Sequence, residues 1–262
     1  MYNRGMTFRL CSLASGSKGN CIFLEDGRTK ILIDAGLPVR EIAARLARIG
    51  ENPADISYIL LSHVHSDHAR GVEDFCRKYQ KEVCCNEACG KRFLRARAFR
   101  SGERFALGDL EIEPLALPHD TPTCDGFLIR AGKIRAAVVT DLGVCPDSVA
   151  ERLGDLDVLV VECNHDPEML ARSRYPYALR RRIRSDRGHL SNLACAALIE
   201  KVYSKRLTDV YLAHLSEENN TPELAYYTVT AYLKDKIDPE TCRIHLALQS
   251  QVSDFYFREE QP

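Results

Sequence analysis

Short apolar runs in the first third of the chain follow the strand period and then give way to helical spacing. Strands are predicted at Thr7 to Ala14, Asn20 to Glu25 and Thr29 to Asp34, and a helix from Val39 to Ile49, where Ile42, Leu46 and Ile49 share one face. A hydrophobic strand, Ile56 to Leu61, leads into a helical segment, Asp67 to Tyr79. Further strands are expected at Glu82 to Cys85, Leu110 to Leu117, Gly126 to Arg130 and Ile134 to Thr140, then Val158 to Glu162 after a helix opening at Pro146 or Asp147. Helices Leu190 to Tyr203 and Pro222 to Lys234 bracket a strand at Asp209 to Ala213, and Arg243 to Gln249 closes the pattern. No linker, repeat or low-complexity block interrupts this order, so residues 1–262 are expected to form one domain. Strand meanders with interspersed helices predict two packed sheets covered by helices on both outer faces.

The chain is 45% apolar and 28% charged, ordinary values for a soluble globular protein. No apolar run approaches the roughly 18–20 residues that span a bilayer, so no membrane partner is expected. Met1 to Leu10 lacks the apolar core and cleavage site of a signal peptide, and eleven cysteines scattered over strands and helices favour reduced thiols, so a cytoplasmic location is expected. Cys84, Cys85 and Cys89 read as buried thiols, not as half of a zinc knuckle, because no second pair accompanies them. A net charge of −1 excludes a globally basic nucleic-acid binder but not a local patch. One patch is evident: Arg172, Arg174, Arg180, Arg181, Arg182, Arg184 and Arg187 surround Tyr175, Pro176 and Tyr177 without a single lysine. Most charge runs are solvated faces, but guanidinium grips phosphate oxygens with a fork that ammonium lacks, so phosphate recognition is expected here.

The densest chemistry follows the strand Ile56 to Leu61. Of eight histidines, three fall within six residues, at His63, His65 and His68, with Asp67 between them. Such a cluster at a strand end is a metal site. Other donors also follow apolar runs: His119 after Leu115 to Pro118, Asp141 after Val138 to Thr140, Glu162 ending Val158 to Val161, and His214 after Val210 to Ala213. The set suffices for two divalent ions. With no cysteine among the donors, Zn²⁺, Mn²⁺ or Fe fits, and Mg²⁺ fits less well because so many donors are imidazoles.

These residues carry a family resemblance. LSHVHSDHARG resembles the HxHxDH signature of the metallo-β-lactamase superfamily, completed by Asp34 in LIDAG, His119, Asp141 in TDLG and His214. SLASGSKGN, ECNHDPEML, SRYPYALRRRIRSDRGHLSN and YLAHLSEENN resemble, in this order, the YycJ/WalJ group of bacterial metal-dependent exonucleases, from about Leu10 to Leu224. The resemblance implies an α/β (α+β) chain with the αββα sandwich of that superfamily, two mixed sheets flanked by helices and a dimetal site at one edge. It implies His63, His65 and His119 on one ion, Asp67, His68 and His214 on the other, and Asp141 bridging them. Asp34 would stand behind the ligands and fix the metal loop. Two ions about 3.5–4 Å apart would hold a bridging hydroxide as nucleophile, and Asp67 would also orient it.

The resemblance also points to a proton donor. GHLSN followed by His214 is similar to tRNA 3′-processing nucleases of the superfamily, which implies His189 as the general acid and Glu162 as the carboxylate that holds it. As a bare residue, His189 at the start of the helix Leu190 to Tyr203 would meet an unfavourable dipole. Candidate substrate contacts are Ser15, Ser17 and Asn20 in the small-residue turn, Asn164 and His165 after Glu162, and Arg180, Arg181, Arg182 and Arg184. The turn residues serve a purely conformational role equally well, and His245, in the last strand pattern, is expected to be structural.

Three functions compete. A phosphodiesterase on DNA, acting as a 5′-to-3′ exonuclease by resemblance, uses the arginines and His189. A small-molecule hydrolase of the same fold, acting on a cyclic phosphodiester, thioester or lactone, has less use for seven arginines. A binding module with a decayed site is disfavoured by the complete donor set. Whether the arginine segment lines the metal cleft discriminates the first two.

Overall fold

The computed structural model describes residues 7–259. Met1 to Met6, most of the stretch read for a leader, and residues 260–262 lie outside the described residues. In chain order the elements are β1 (Thr7–Ala14), β2 (Cys21–Glu25), β3 (Lys30–Ile33), α1 (Val39–Arg48), β4 (Tyr58–Leu60), α2 (Ser66–Ala69), α3 (Val72–Tyr79), β5 (Glu82–Asn86), α4 (Glu87–Gly90), β6 (Ala96–Phe99) and β7 (Phe105–Leu107). There follow β8 (Leu110–Ala116), β9 (Asp125–Ala131), β10 (Ile134–Val139), α5 (Asp147–Ala150), β11 (Val158–Glu162), α6 (Pro167–Arg172) and α7 (Tyr177–Ile183). The chain closes with α8 (Asn192–Val202), β12 (Asp209–Ala213), α9 (Pro222–Leu233), β13 (Arg243–Leu246) and β14 (Tyr256–Glu259).

These strands form two seven-stranded sheets, ordered β14-β1-β2-β3-β4-β5-β6 and β13-β12-β11-β10-β9-β8-β7. Both are mixed. β3 to β6 run parallel in the first and β10 to β13 in the second, while the remaining pairs are antiparallel. Apolar side chains facing inward from both sheets, among them Phe8, Leu24, Ile33, Phe127, Val160 and Tyr211, form one shared layer. Its aromatics matter most for stability, since truncating a buried Phe such as Phe127 to Ala removes about 3–5 kcal/mol. The outer face of the first sheet is covered by α1 and α3 through Ile42, Leu46, Val72 and Phe75. The outer face of the second is covered by α5, α8 and α9 through Val149, Ile199 and Val229. The architecture is therefore the αββα sandwich, with both sheets mixed.

Helix starts follow the sequence closely. Ser191 and Thr221 accept backbone N–H groups at the starts of α8 and α9, and Pro222 occupies the first turn of α9. Two helices differ from expectation. The segment read as one helix from Asp67 to Tyr79 breaks into α2 and α3, because the Gly71 N–H is taken by the Ala35 carbonyl at 2.8 Å and a Cβ there would stand 2.1 Å from the Leu37 carbonyl. α8 starts at Asn192, two residues later than read, so His189 lies in the turn before the cap and outside the helix. The strands β6, β7 and β14 and the helices α4, α6 and α7 gave no readable period. β6 and β14 are edge strands with mostly exposed side chains, and β7 spans three residues. α7 buries only Ile183.

His245 is structural, as expected: its Nε2 lies 2.7 Å from Asp209 Oδ1 and its ring stacks on Tyr211. Burial alone would raise the Asp209 pKa, but bonds from His245, Arg243 and Thr208 outweigh it and hold the carboxyl below its ordinary value. A carboxyl lowered on folding stabilises fully above its unfolded pKa of about 3.9, and loses that contribution as pH falls through the lower folded value. Asp209→Ala is therefore expected to cost about 1–3 kcal/mol in urea unfolding at pH 7. The deficit should shrink below about pH 4.

Candidate metal centre

Every sequence-selected donor lies at one edge of the sandwich, at or just beyond the carboxyl end of a strand. Asp34 follows β3, Ser62 to His68 follow β4, His119 follows β8, Asp141 follows β10, Glu162 ends β11 and His214 follows β12. Asp34, Asp141 and His214 have positive φ angles of 62°, 65° and 56°, a left-handed conformation uncommon outside glycine. Each of these residues thereby turns its side chain off the strand direction at the point where the strand stops.

Asp34 organises the loop after β4. Its Oδ1 accepts the Ser62 N–H at 2.8 Å, and its Oδ2 accepts His68 Nδ1–H at 2.7 Å, leaving His68 Nε2 toward the cluster. β4 stops at Leu60, so His63 and His65 lie beyond it, and this loop anchoring, not strand alternation, brings their rings to 4.7 Å. Asn20 and Gly36 close the other side. The Asn20 N–H donates to the Asp67 carbonyl at 2.7 Å, its carbonyl accepts the Gly36 N–H at 2.9 Å, and its Nδ2 lies 2.9 Å from His68 Nε2. A Cβ on Gly36 would stand 1.7 Å from the Asp67 carbonyl oxygen, so only glycine lets the two loops meet.

His63, His65 and His119 converge so that one donor atom from each lies within 4.8 Å of the others, and so do Asp67, His68 and His214. Asp141 joins His63 with His68 in a third such group, and Glu162, His189 and His214 in a fourth. His65 Nδ1 and His119 Nε2 are 3.3 Å apart, the spacing of two nitrogens sharing one tetrahedral ion at about 2.0–2.1 Å. Asp141 Oδ2 lies 3.2 Å from His68 Nε2, and its Oδ1 3.5 Å from His214 Nε2.

The electrostatics suit a cation. Burial would raise the Asp141 pKa, but His214, His68, His63 and His189 outweigh it and keep the carboxyl well below its ordinary value. Burial lowers His63 well below normal, with the neighbouring His68 charge adding to the effect. Burial likewise opposes protonation of His214, yet Asp141, Asp67 and Glu162 raise it to about 10. His63 Nε2 and Asp141 Oδ2 are buried without a hydrogen-bond partner. Such atoms are costly unless something accepts their lone pairs, and a divalent ion does so. The donor set fits a divalent metal.

The other selected residues have distinct places. Glu162 is fully buried. Its Oε1 lies 2.8 Å from His189 Nδ1 and 3.0 Å from His214 Nδ1, while its Oε2 accepts the Leu142 and Leu190 N–H groups. His189 Nδ1 is 3.8 Å from Asp141 Oδ1, beside the donor cluster. Ser15 and Asn164 hold His214: Ser15 Oγ accepts its N–H at 2.7 Å, and Asn164 Nδ2 donates to its carbonyl at 2.8 Å. His165 is buried with its Nδ1 unpartnered and belongs to none of the donor groups. Ser17 lines a cavity of about 500 Å³ that Ser66, Asp67, Lys18 and Arg70 also border. The arginine segment divides. Arg182 pairs through Nε with Asp120, whereas Arg180, Arg181 and Arg184 line a separate cavity of about 400 Å³ with Tyr177 and Ser185.

Sequence reasoning missed Ser62, Asp120 and Gly188, and named Arg187 only as part of the arginine patch. Arg187 Nε donates to the His119 carbonyl at 2.8 Å, and the Gly188 carbonyl accepts His119 Nδ1–H at 3.2 Å.

A sequence profile of the β-lactamase superfamily domain matches residues 29–214, and the chain belongs to that family. With this sandwich and this donor cluster it is a metal-dependent hydrolase of the metallo-β-lactamase fold. It is 35% identical over 237 residues to the exodeoxyribonuclease WalJ of Streptococcus pneumoniae serotype 2, across 86% of this chain and 88% of WalJ. It is 34% identical over 237 residues to the exodeoxyribonuclease YycJ of Bacillus anthracis, with the same coverage of each chain. The chain is thus YycJ/WalJ-like. Among solved structures, YhfI from Bacillus subtilis superposes with a TM-score of 0.75 over 96% of this chain and 100% of its own at 15% identity, a likeness of fold.

Asp34→Ala leaves His68 free to rotate and is expected to weaken divalent-metal binding about 10–100-fold, read by competition with a chromophoric chelator.

Proposed function

We propose that this chain is a metal-dependent exodeoxyribonuclease that works in the 5′-to-3′ direction with two divalent ions, Zn²⁺ or Mn²⁺ before Fe. The observation that carries the reading is His189, held by the buried Glu162 against the donor cluster. The exodeoxyribonuclease names of relatives about 35% identical over most of the chain support DNA as the substrate. We read residues 1–262 as one catalytic domain, because both sheets share one apolar layer. Its eleven unpaired thiols, nearly all buried, support a reducing, cytoplasmic setting. No helix among the described residues is long and apolar enough to cross a membrane.

In this reading His63, His65 and His119 hold one ion and Asp67, His68 and His214 the other, with Asp141 between them and Asp34 fixing His68. The ions, when bound, supply Lewis acidity toward a phosphoryl oxygen and a nucleophile at neutral pH. The chain supplies the rest. Glu162 Oε1 occupies His189 Nδ1, so Nε2 is the atom that delivers a proton to the departing sugar oxygen. The Glu162 carboxyl itself is set to stay ionised: burial would raise its pKa, but His189 and the bonds from His189 and His214 outweigh it and bring it to about 2. Asp67 orients the attacking oxygen as well as binding metal. Arg187 donates to the His119 carbonyl and Arg182 pairs with the adjoining Asp120, so part of the arginine segment borders the donor cluster, as a polyanionic substrate requires. Arg180, Arg181 and Arg184 grip the nucleic-acid backbone farther along, in the cavity below Tyr177.

Incubating the protein with 5′-labelled and 3′-labelled duplex DNA in Mn²⁺ or Zn²⁺ should release mononucleotides from the 5′ end. His189→Ala should lower kcat by about 10²–10⁴ with bound metal unchanged. Intact DNA after exposure to either ion would overturn the reading and favour cyclic phosphodiesters, thioesters or lactones as substrates.

A further inference from the structure

Asp120 lies directly after His119 and outside the donor groups that converge within 4.8 Å, so it is not placed to complete either of them. Its carboxylate is nonetheless shared between two parts of the molecule. Oδ1 lies 3.2 Å from His119 Nε2 and 3.6 Å from His65 Nε2, while Oδ2 is gripped by Arg182 Nε on α7. His65 turns its other nitrogen, Nδ1, toward His119 Nε2 at 3.3 Å. An imidazole presents either nitrogen to an ion, and the choice is set by what the opposite nitrogen meets. Asp120 stands on the Nε2 side of His65. At 3.6 Å this carboxylate oxygen lies just beyond hydrogen-bond length, but its charge still favours a proton on Nε2 and leaves the Nδ1 lone pair for metal, whereas the proton of His119 is fixed on Nδ1 by the Gly188 carbonyl.

The opposite oxygen matters equally. Arg182 is half exposed, and the ion pair with Asp120 uses Nε, leaving the two terminal nitrogens of the fork for a phosphate. Two further contacts tie the same segment to the same ligand: Arg187 to the His119 carbonyl and the Gly188 carbonyl to His119 Nδ1.

We propose that Asp120 is a positioning residue that couples the two halves of the site, setting His65 with Nδ1 toward the metal and fixing Arg182 as a substrate-phosphate contact. The metal half stands on the donor cluster, and the Arg182 half rests on the nuclease reading. Asp120 acts on His65 through Oδ1 and on Arg182 through Oδ2, and the first contact does not need the second.

The test uses the full chain, with Co²⁺ and Zn²⁺ as probes and no DNA in its first arm. Chelator competition and the Co²⁺ absorption bands report binding for wild type, Asp120→Ala, Asp120→Asn and Arg182→Ala, each checked for an unchanged melting temperature without metal. Asp120→Ala is expected to weaken one of the binding phases about 10–100-fold and alter the Co²⁺ bands. Asp120→Asn, which keeps an acceptor for His65 Nε2–H, should recover much of that loss. Arg182→Ala should hold metal within about twofold of wild type and raise KM for DNA roughly tenfold, with kcat little changed. Wild-type affinity of Asp120→Ala in every phase overturns the proposal. So does an Arg182→Ala metal defect as large as that of Asp120→Ala, since both changes would then act only through packing. Failure of wild type to cut DNA, with the Asp120→Ala metal defect present, removes the nuclease reading and leaves the positioning role of Asp120 standing.

Discussion

A carboxylate with almost no contact with solvent, Asp141, sits among the imidazoles of His68, His119, His189 and His214, and the surrounding structure is arranged around tolerating it. An isolated buried charge is too costly for a domain with a net stability of about 5–15 kcal/mol. Here the cost is met from all sides. Imidazoles compensate the anion, and Asp34, Glu162 and Gly188 in turn hold imidazoles through their outward nitrogens. The polar edge is therefore a network in which most members are satisfied by the next, with His63 Nε2 and Asp141 Oδ2 among the buried atoms left without a hydrogen-bond partner. The rest of the molecule is an apolar sandwich whose parallel strand ends bring these residues together.

The same logic ties the arginine segment to the donor cluster. The segment from α7 to His189 carries Arg182, Arg187, the Gly188 carbonyl and His189, and three of these four groups contact His119 or its neighbour Asp120. The fourth meets Glu162, which also touches His214. One stretch of chain thus reaches both donor triads from above. His189, placed by such a stretch, has a position defined relative to the clustered side chains themselves.

Much of this was readable from residues because strand ends leave a plain signature, an apolar run followed by His, Asp or Glu. His63 to His68, His119, Asp141, Glu162 and His214 were all found that way, and resemblance supplied the division into two triads. Other features were hidden for identifiable reasons. The edge strands β6 and β14 bury too few side chains to show a period, and α7 buries one residue, so its arginines read as a charged run and not as a helix. Asn20 and Ser15 looked like candidate phosphate contacts, yet their side chains are spent on His68 and His214. Tertiary partners decided these cases, and local sequence does not contain them. Asp120 was passed over because a single carboxylate beside a histidine carries no pattern.

Among the described residues, three of the five non-glycine residues with left-handed backbone are Asp34, Asp141 and His214. Conformations of this kind carry a standing penalty and persist only where the surroundings over-determine them. Glycine at any of them would relax the backbone but would also strand the buried groups these side chains meet, such as the Ser62 N–H and His68 Nδ1 on Asp34 and Glu162 on His214. At the edge of the sandwich, backbone strain and polar satisfaction are therefore locked together, and neither can be relieved without giving up the other.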